Sequence, residues 1–281
     1  LMKYPIKGGA VEGEALILDN LIHSINDVND PAFLDYDYIR IYEELVGWQM
    51  RSRASVDALF IGGGGYTFPR YMEAAYPGAR IDVVEIDPEV TRVVHEYLGL
   101  PRTTSIRSFN EDGRWFVMNS KDKGRYDFIF GDAFNDLSIP YHLTTREFAQ
   151  QMKALLKPDG FLIANLIDSV TEGLFLPSYI RTLEDVFGKG NVNLLVLVPE
   201  LQRLGIATCV VVASPRKWDM DDFARVTGAR EGRKRIAHLV PQEKLQEILR
   251  NRPAVILTDD YVPVDNLTAP IFEARYGYKK K

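Results

Sequence analysis

At 281 residues, 46% of them hydrophobic and 26% charged, the chain is ordinary globular material sized for one large unit plus an appendage, which excludes a disordered polymer. A net charge of −5 gives no general attraction to nucleic acid or anionic lipid, whereas a cationic partner is not repelled. The lone cysteine, Cys209, excludes an internal disulfide and the thiolate-rich zinc patterns, and within Thr208-Cys209-Val210-Val211-Val212 it is expected as a buried core thiol in a reducing, cytosol-facing compartment.

Taken in chain order, residues 14–27 read as a hairpin whose arms flank Asp19-Asn20, a pair that tolerates the positive φ of a tight turn. Residues 31–51 read as a helix. Phe33, Leu34, Tyr38, Ile41, Leu45 and Trp48 recur at helical spacing, and Asp30 before Pro31 is the expected N-cap. From residue 57 onward, short apolar strands alternate with amphipathic helices. Strands are predicted at 58–61, 81–84, 104–107, 126–130, 161–166, 192–198 and 206–213, and helices at 68–76, 89–98, 112–119, 145–156 and 171–187. Residues 192–213 are broken by Glu200 and Arg203 and so form two strands rather than a membrane span. The last stretch gives one helix at 241–250, one short strand at 254–257 and a flap.

Such alternation predicts an α/β fold, a mainly parallel doubly wound sheet with helices on both faces and a small N-terminal β-hairpin element. The expected organisation is a hairpin and linking helix over 1–53, the sheet domain over 54–215, and a completing helix and flap over 216–281. No signal peptide is evident, and a chain that opens on Leu1 almost directly into strand-like sequence is expected to be part of a longer protein.

Ligands of such sheets lie beyond the carboxyl ends of the strands. The first strand runs into Gly62-Gly63-Gly64-Gly65-Tyr66-Thr67, where glycines let a ligand approach the backbone and the next helix directs its N–H groups at it. The second ends Val84-Glu85-Ile86-Asp87, and an acid there suits the two hydroxyls of a ribose. Thr67 stands where a nicotinamide fingerprint needs its third glycine, which counts against a dehydrogenase. Helix capping is the competing role for these acids, and Asp87 before Pro88 suits it better than Glu85 does.

Asn110-Glu111-Asp112-Gly113 follows the third strand, where Asp112 either accepts an adenine amine or caps the next helix. The fourth strand ends Gly131-Asp132-Ala133-Phe134-Asn135-Asp136, a pair of acids able to bind ammonium groups or take their protons. Among the histidines, His95 and His238 are expected in solvent, His142 near the Asp132 loop, and His23 in the hairpin. The basic run 230–235 is expected to be a solvated face.

Together these residues resemble the polyamine aminopropyltransferase (spermidine synthase) family over about residues 16–213, which implies a Rossmann-like, class I S-adenosylmethionine-type doubly wound sheet. Leu16-Ile17-Leu18-Asp19-Asn20 is similar to the family's L-x-L-D-G element. Glu85 matches its ribose-binding acid, Asp112-Gly113 its adenine-binding pair, and Asp132 its catalytic Asp. Asn135 or Asp136 lies near the position of the second acid, and Tyr36 where a tyrosine orients the attacking amine. Residues 257–264 resemble bacterial members fused behind transmembrane helices.

The sequence also departs from the family. The family's G-G-G-D-G loop has an acid where this chain has Gly65, its hairpin glutamine is His23, the residue after its tyrosine is Asp37, and its late channel tyrosine is missing near Pro199-Glu200-Leu201. The resemblance therefore implies catalytic Asp132, Asp136 and Tyr36, and co-substrate contacts from Gly62, Gly63, Gly64, Gly65, Glu85, Asp112, Gly113 and His23, without a metal.

The implied reaction is aminopropyl transfer from decarboxylated S-adenosylmethionine to an amine, releasing methylthioadenosine. Gly65 weakens the selection against the carboxylated form, S-adenosylmethionine itself. This leaves three alternatives: a lyase or cyclase yielding homoserine lactone, a methyltransferase, and a ligand-sensing domain without turnover. The expected partners are small-molecule amines or polyamines and no nucleic acid, with a transmembrane region in the full-length protein and pairing into a homodimer as further expectations. The expected location is the cytoplasm, or the cytosolic face of a membrane for a membrane-anchored parent.

Overall fold

The computed structural model describes residues 1–18, 21–133, 139–170, 172–198, 205–228 and 235–277. The chain opens with β1 (Met2–Ile6), β2 (Val11–Leu18) and β3 (Leu21–Asn26), an antiparallel three-stranded sheet in which β2 is central. The hairpin expected from the sequence is β2–β3, and β1 adds a strand to its open edge. Helix α1 (Asp37–Met50) starts later than the apolar spacing predicts. Asp30 caps no helix: its side chain accepts from Ala32 N within a turn, and Phe33 packs on the three-stranded sheet beside Ile6, Ala15 and Ile25.

The main sheet has eight strands in the order β11-β9-β10-β8-β7-β4-β5-β6. They are β4 (Asp57–Ile61), β5 (Arg80–Val84), β6 (Arg107–Phe109), β7 (Tyr126–Gly131), β8 (Leu156–Ser169), β9 (Val192–Val196), β10 (Ile206–Ala213) and β11 (His238–Leu239). Pairings from β6 through β8 are parallel, and those involving β9, β10 and β11 are antiparallel. The order reverses between β4 and β7, which puts a crevice at their carboxyl ends.

Side-chain alternation along these strands builds a separate apolar layer on each face. Phe60 of β4, Phe128 and Phe130 of β7 and Val210 of β10 pack with α1, with α2 (Thr67–Ala75) and with α3 (Pro88–Tyr97). Leu59, Ile129, Leu162 and Val211 face the other way, toward α4 (Gly113–Asn119), α5 (Arg146–Leu155) and α6 (Phe175–Phe187). Helix α7 (Met220–Gly228) adds Phe223 to the first layer, while α8 (Gln242–Asn251) and α9 (Val264–Tyr276) cover the second. Cys209 is buried in that second layer, and burial pushes its thiol up to about 12.

Neither α7 nor α9 is among the predicted helices, and the predicted strand at 254–257 is absent. Backbone amides there bond to side chains instead, Val255 N to Ser178 Oγ and Leu257 N to Thr182 Oγ1, so no ladder forms. Among the described residues no helix is long and apolar enough to cross a membrane.

The amino ends of the parallel strands carry three acids that are at most 1% exposed, Asp57, Asp82 and Asp127. Cations ring them: Arg107 donates to Asp82 at 2.6 and 2.7 Å, Arg80 to Asp57 at 2.6 Å, and Arg53 and Lys157 to Asp127 at 2.8 and 2.7 Å. A buried acid deprived of such partners is strongly destabilising, so this network fixes the register of β4, β5 and β7.

Asp168, at the far end of β8, has no ion pair among the described residues, and Arg252 acts on it only through space. It accepts from Ser169 N and Leu176 N at 2.7 and 2.6 Å, steering the chain into α6, yet burial still raises its pKa from 3.8 to about 6. The folded protein therefore holds a proton between about pH 4 and 6 that the unfolded chain has released, and this group's contribution to stability falls as pH rises through that window. Asp168→Asn should remove the dependence. Relative to wild type, the variant is expected to gain about 2 kcal/mol between pH 4.5 and 7, read from urea unfolding midpoints.

Candidate active site

A cavity of about 1120 Å³ opens at the carboxyl ends of β4, β5, β6 and β7 and is roofed on one side by β3. Its glycine loop is shaped by close contact. A Cβ on Gly62 would lie 2.5 Å from the Asp132 carbonyl, and one on Gly63 would lie 2.6 Å from the Tyr66 ring. Gly62 also holds a φ of 97°, which side-chain-bearing residues avoid. Gly113 meets the same limit, since a Cβ there would lie 2.6 Å from Ile61.

Glu85 is buried at the end of β5, and its carboxylate accepts from Gly63 N (2.8 Å), Gly64 N (3.2 Å) and Asp87 N (2.9 Å). It thus holds the glycine loop and the β5–α3 turn in place, while Asp87 caps α3 through Glu89 N. Asp112 caps α4 through Trp115 N (2.9 Å), and its other oxygen meets His142 Nε2 at 3.1 Å. Those bonds hold its pKa below the usual carboxylate value against the opposing effect of burial. Ile86, 68% exposed, also lines the cavity.

Asp132 leaves the end of β7 beside the reversal in strand order, its backbone N–H bonded to Ile61 O. The side chain is half-buried and lines the cavity, and the loss of water around it raises its pKa. Opposing that shift are Asn165 of β8, whose Nδ2 donates to Oδ1 at 3.0 Å, the hydroxyl of Tyr38, and the nearby His23. Tyr42 OH faces the same carboxylate without a fully formed hydrogen bond. Burial and Asp132 together push both phenols well above their ordinary value, so they remain donors.

Tyr36 also lines the cavity, but its hydroxyl donates to Ile22 O at 3.1 Å. Asp37 is exposed and pairs with Arg40 at 3.3 Å. Asn135 and Asp136 lie outside the described residues, as do Asp19, Asn20 and the 199–201 segment.

Strand β3 holds the glycine loop from the other side. Asn26 Nδ2 donates to Gly65 O (2.7 Å) and to Leu98 O (3.1 Å), while Asn26 Oδ1 accepts from Thr67 Oγ1 at 2.5 Å. Ser24 fills the space above Gly65 so completely that a Cβ there would lie 1.9 Å from its Oγ. Four buried polar atoms among the described cavity residues have no hydrogen-bond partner: His23 Nε2, Ser24 Oγ, Tyr42 Oη and Asn165 Oδ1.

Sequence reasoning missed Tyr38, Tyr42, Ser24 and Asn165. The two tyrosines sit four residues apart on one helical face, a signal that core packing also produces, and spacing marks Tyr38 only as part of the helix's apolar pattern.

The spermine/spermidine synthase domain matches residues 42–217. The chain belongs to that family. A Vibrio vulnificus polyamine aminopropyltransferase is 41% identical over 108 residues, covering 38% of this chain and 36% of the relative. An Emericella nidulans N-terminal histidine N-methyltransferase is 32% identical over 167 residues, covering 57% of this chain and 29% of the relative. The chain thus spans about a third of the length of these curated relatives, 36% and 29%. A probable spermidine synthase structure from Corynebacterium glutamicum superposes with a TM-score of 0.73 at 21% identity, covering 86% of this chain and 88% of that one. This likeness shows the doubly wound fold and its N-terminal sheet.

Proposed function

We propose that this domain transfers an aminopropyl group from decarboxylated S-adenosylmethionine to a small amine, releasing methylthioadenosine. The observation that carries this is Asp132, a cavity-lining carboxylate at the strand reversal, bonded by Asn165 and faced by the phenols of Tyr38 and Tyr42. Asp132 first takes a proton from the ammonium form of the amine, and the lone pair so freed attacks the aminopropyl carbon attached to sulfur. The new C–N bond forms as that C–S bond breaks, the electron pair stays on sulfur, and the product leaves as a secondary ammonium. The sulfonium leaves readily, so most of the catalysis is alignment. An amine of pKa near 10 arrives protonated at neutral pH, and Asp132 is the base that receives a proton.

In this reading Glu85 and Asp112 hold the ribose and the adenine, and the glycine loop admits the nucleoside without clash. Gly62, Gly63 and Gly113 leave the loop no room for side chains, since a Cβ at each would collide with Asp132, Tyr66 or Ile61. Glu85→Ala and Asp112→Ala should each weaken methylthioadenosine binding by about 1–3 kcal/mol, measured by calorimetry. Unchanged affinity in both variants would move the nucleoside elsewhere.

A second reading, methyl transfer to an amine, is favoured by one observation: the corner formed by Ser24 and Gly65 carries no acid to repel the carboxylate of S-adenosylmethionine. Incubation with each sulfonium, with and without 1,4-diaminobutane, followed by mass identification of products, decides between them. Aminopropyl transfer gives methylthioadenosine and a lengthened amine only when decarboxylated sulfonium and amine are both present. S-adenosylhomocysteine with a methylated amine would establish methyl transfer instead. Methylthioadenosine with homoserine lactone, formed without amine, would establish a lyase.

A further inference from the structure

We infer that His142 is a positioning residue for nucleobase specificity. Its Nε2–H fixes the plane of the Asp112 carboxylate, so that a free lone pair meets the amine of a 6-amino purine and repels the carbonyl of a 6-oxo one. The inference rests on the reading above that Asp112 holds the adenine. Both side chains line the cavity, and at 36% exposure for His142 and 38% for Asp112 neither is closed off from a ligand. They come from different elements: Asp112 precedes α4, and His142 stands on a short 3-10 helix, Tyr141–Leu143, beyond β7.

An aspartate carboxylate turns easily about its last torsion, whose profile is broad and two-fold. The bond from Trp115 N to Oδ1, 2.9 Å, caps α4 but leaves the carboxylate plane free to swing about that one contact. The bond from His142 Nε2 to Oδ2, 3.1 Å, removes this freedom. A carboxylate only accepts, so the pairing places the hydrogen on Nε2. An ionised carboxylate has about four acceptor directions, and these two bonds leave one on each oxygen for a ligand.

The ring stands on a backbone that is itself held. His142 O accepts from Arg114 Nη1 at 2.6 Å, and the same guanidinium bonds Thr145 Oγ1 at 3.0 Å and the Asp259 carboxylate. Leu143 N and Thr144 N close the turn onto Pro140 O and Tyr141 O at 2.9 and 3.0 Å. As a source of stability a part-exposed pair of this kind contributes little. Its consequence is directional. Among the described residues lining the cavity, His23 and His142 are the only side chains able to carry positive charge, and the His142 donor is already spent on Asp112. A 6-carbonyl beside Asp112 therefore meets a fixed acceptor with lone pairs of its own, whereas a 6-amine donates to it.

The test reads a ratio that a purely structural role would not move. Binding of methylthioadenosine and of methylthioinosine, its 6-oxo counterpart, is measured by calorimetry for wild type, His142→Ala and His142→Gln, with urea unfolding midpoints alongside. Wild type should favour the 6-amino base by about tenfold or more, the scale of one hydrogen bond to a charged group. His142→Ala should lower that preference by about three- to tenfold while its midpoint stays near that of wild type. His142→Gln keeps an N–H at similar reach and should restore the preference.

A preference in His142→Ala equal to that of wild type would overturn the inference. So would an equal loss in the Ala and Gln variants, since the donor would then be irrelevant. Formation of the lengthened amine from the decarboxylated sulfonium is followed in parallel. A wild type that binds methylthioadenosine but forms no such product overturns the functional reading, and the inference then stands or falls on the ratio alone. A wild type that binds neither nucleoside overturns both.

Discussion

Replacing Asp132 with Asn is expected to lower turnover by about 10²- to 10⁴-fold while methylthioadenosine binds as before, the usual scale for a positioned base. The substitution keeps shape and removes the proton acceptor. Asn165 Nδ2 still finds an oxygen, so the local packing has no reason to change. The pH dependence adds a second signature. Burial raises the Asp132 pKa, so the charged, active form accumulates only above that raised value, and the acid limb of kcat/KM should lie above the ordinary Asp range. The limb should vanish in the Asn variant. Wild-type turnover in Asp132→Asn at every pH would transfer the role to another acid, with Asp136 next in order along the chain.

The second large effect concerns the corner where the family's glycine loop carries an acid. A carboxylate about 4 Å from an ammonium contributes roughly 4 kcal/mol at an effective dielectric near 20, and it repels a carboxylate in the same place. Gly65→Asp alone is expected to fail, because Ser24 Cβ lies 2.5 Å from where the new Cβ must go and β3 would have to move. Pairing it with Ser24→Gly opens that space. The double variant should favour decarboxylated over carboxylated S-adenosylmethionine, relative to wild type, by up to about 4 kcal/mol in kcat/KM. Steady-state kinetics on both sulfoniums give the result. A double variant that folds and binds methylthioadenosine but shows the wild-type ratio would separate this corner from the tail of the ligand.

Much of this arrangement is legible in the sequence, for a simple reason. Apolar runs of strand length ending in glycines or acids mark both the sheet and its functional edge, so Glu85, Asp112 and Asp132 could be placed at strand ends before any coordinates. What lies above that edge depends on packing that periodicity does not encode. Tyr36, Tyr38 and Tyr42 are equally plausible by spacing, and only the docking of α1 shows that Tyr38 and Tyr42 reach Asp132 while Tyr36 bonds to β3. Asn165 looks like any polar residue in a buried strand until β8 is known to lie beside β7. Gly65 reads as a lost acid, whereas its neighbour Ser24 is forty-one residues away in sequence and visible only in three dimensions. The segment at 254–257 has strand-like composition but side-chain partners for its amides, which composition cannot reveal.

The two ends of the parallel strands also differ in charge balance. At the amino ends, Asp57, Asp82 and Asp127 are each matched by arginine or lysine, so their field is cancelled at short range. At the carboxyl ends, Glu85, Asp112 and Asp132 have no arginine or lysine partner among the described residues; amides, a histidine and phenols serve instead. The uncompensated negative potential is therefore concentrated at the mouth of the cavity, within walls of low polarisability that focus it. A polycation diffusing nearby is drawn toward that mouth before it touches the protein. The encounter rate for multiply charged amines then falls steeply as added salt shortens the Debye length, while that for singly charged amines falls less.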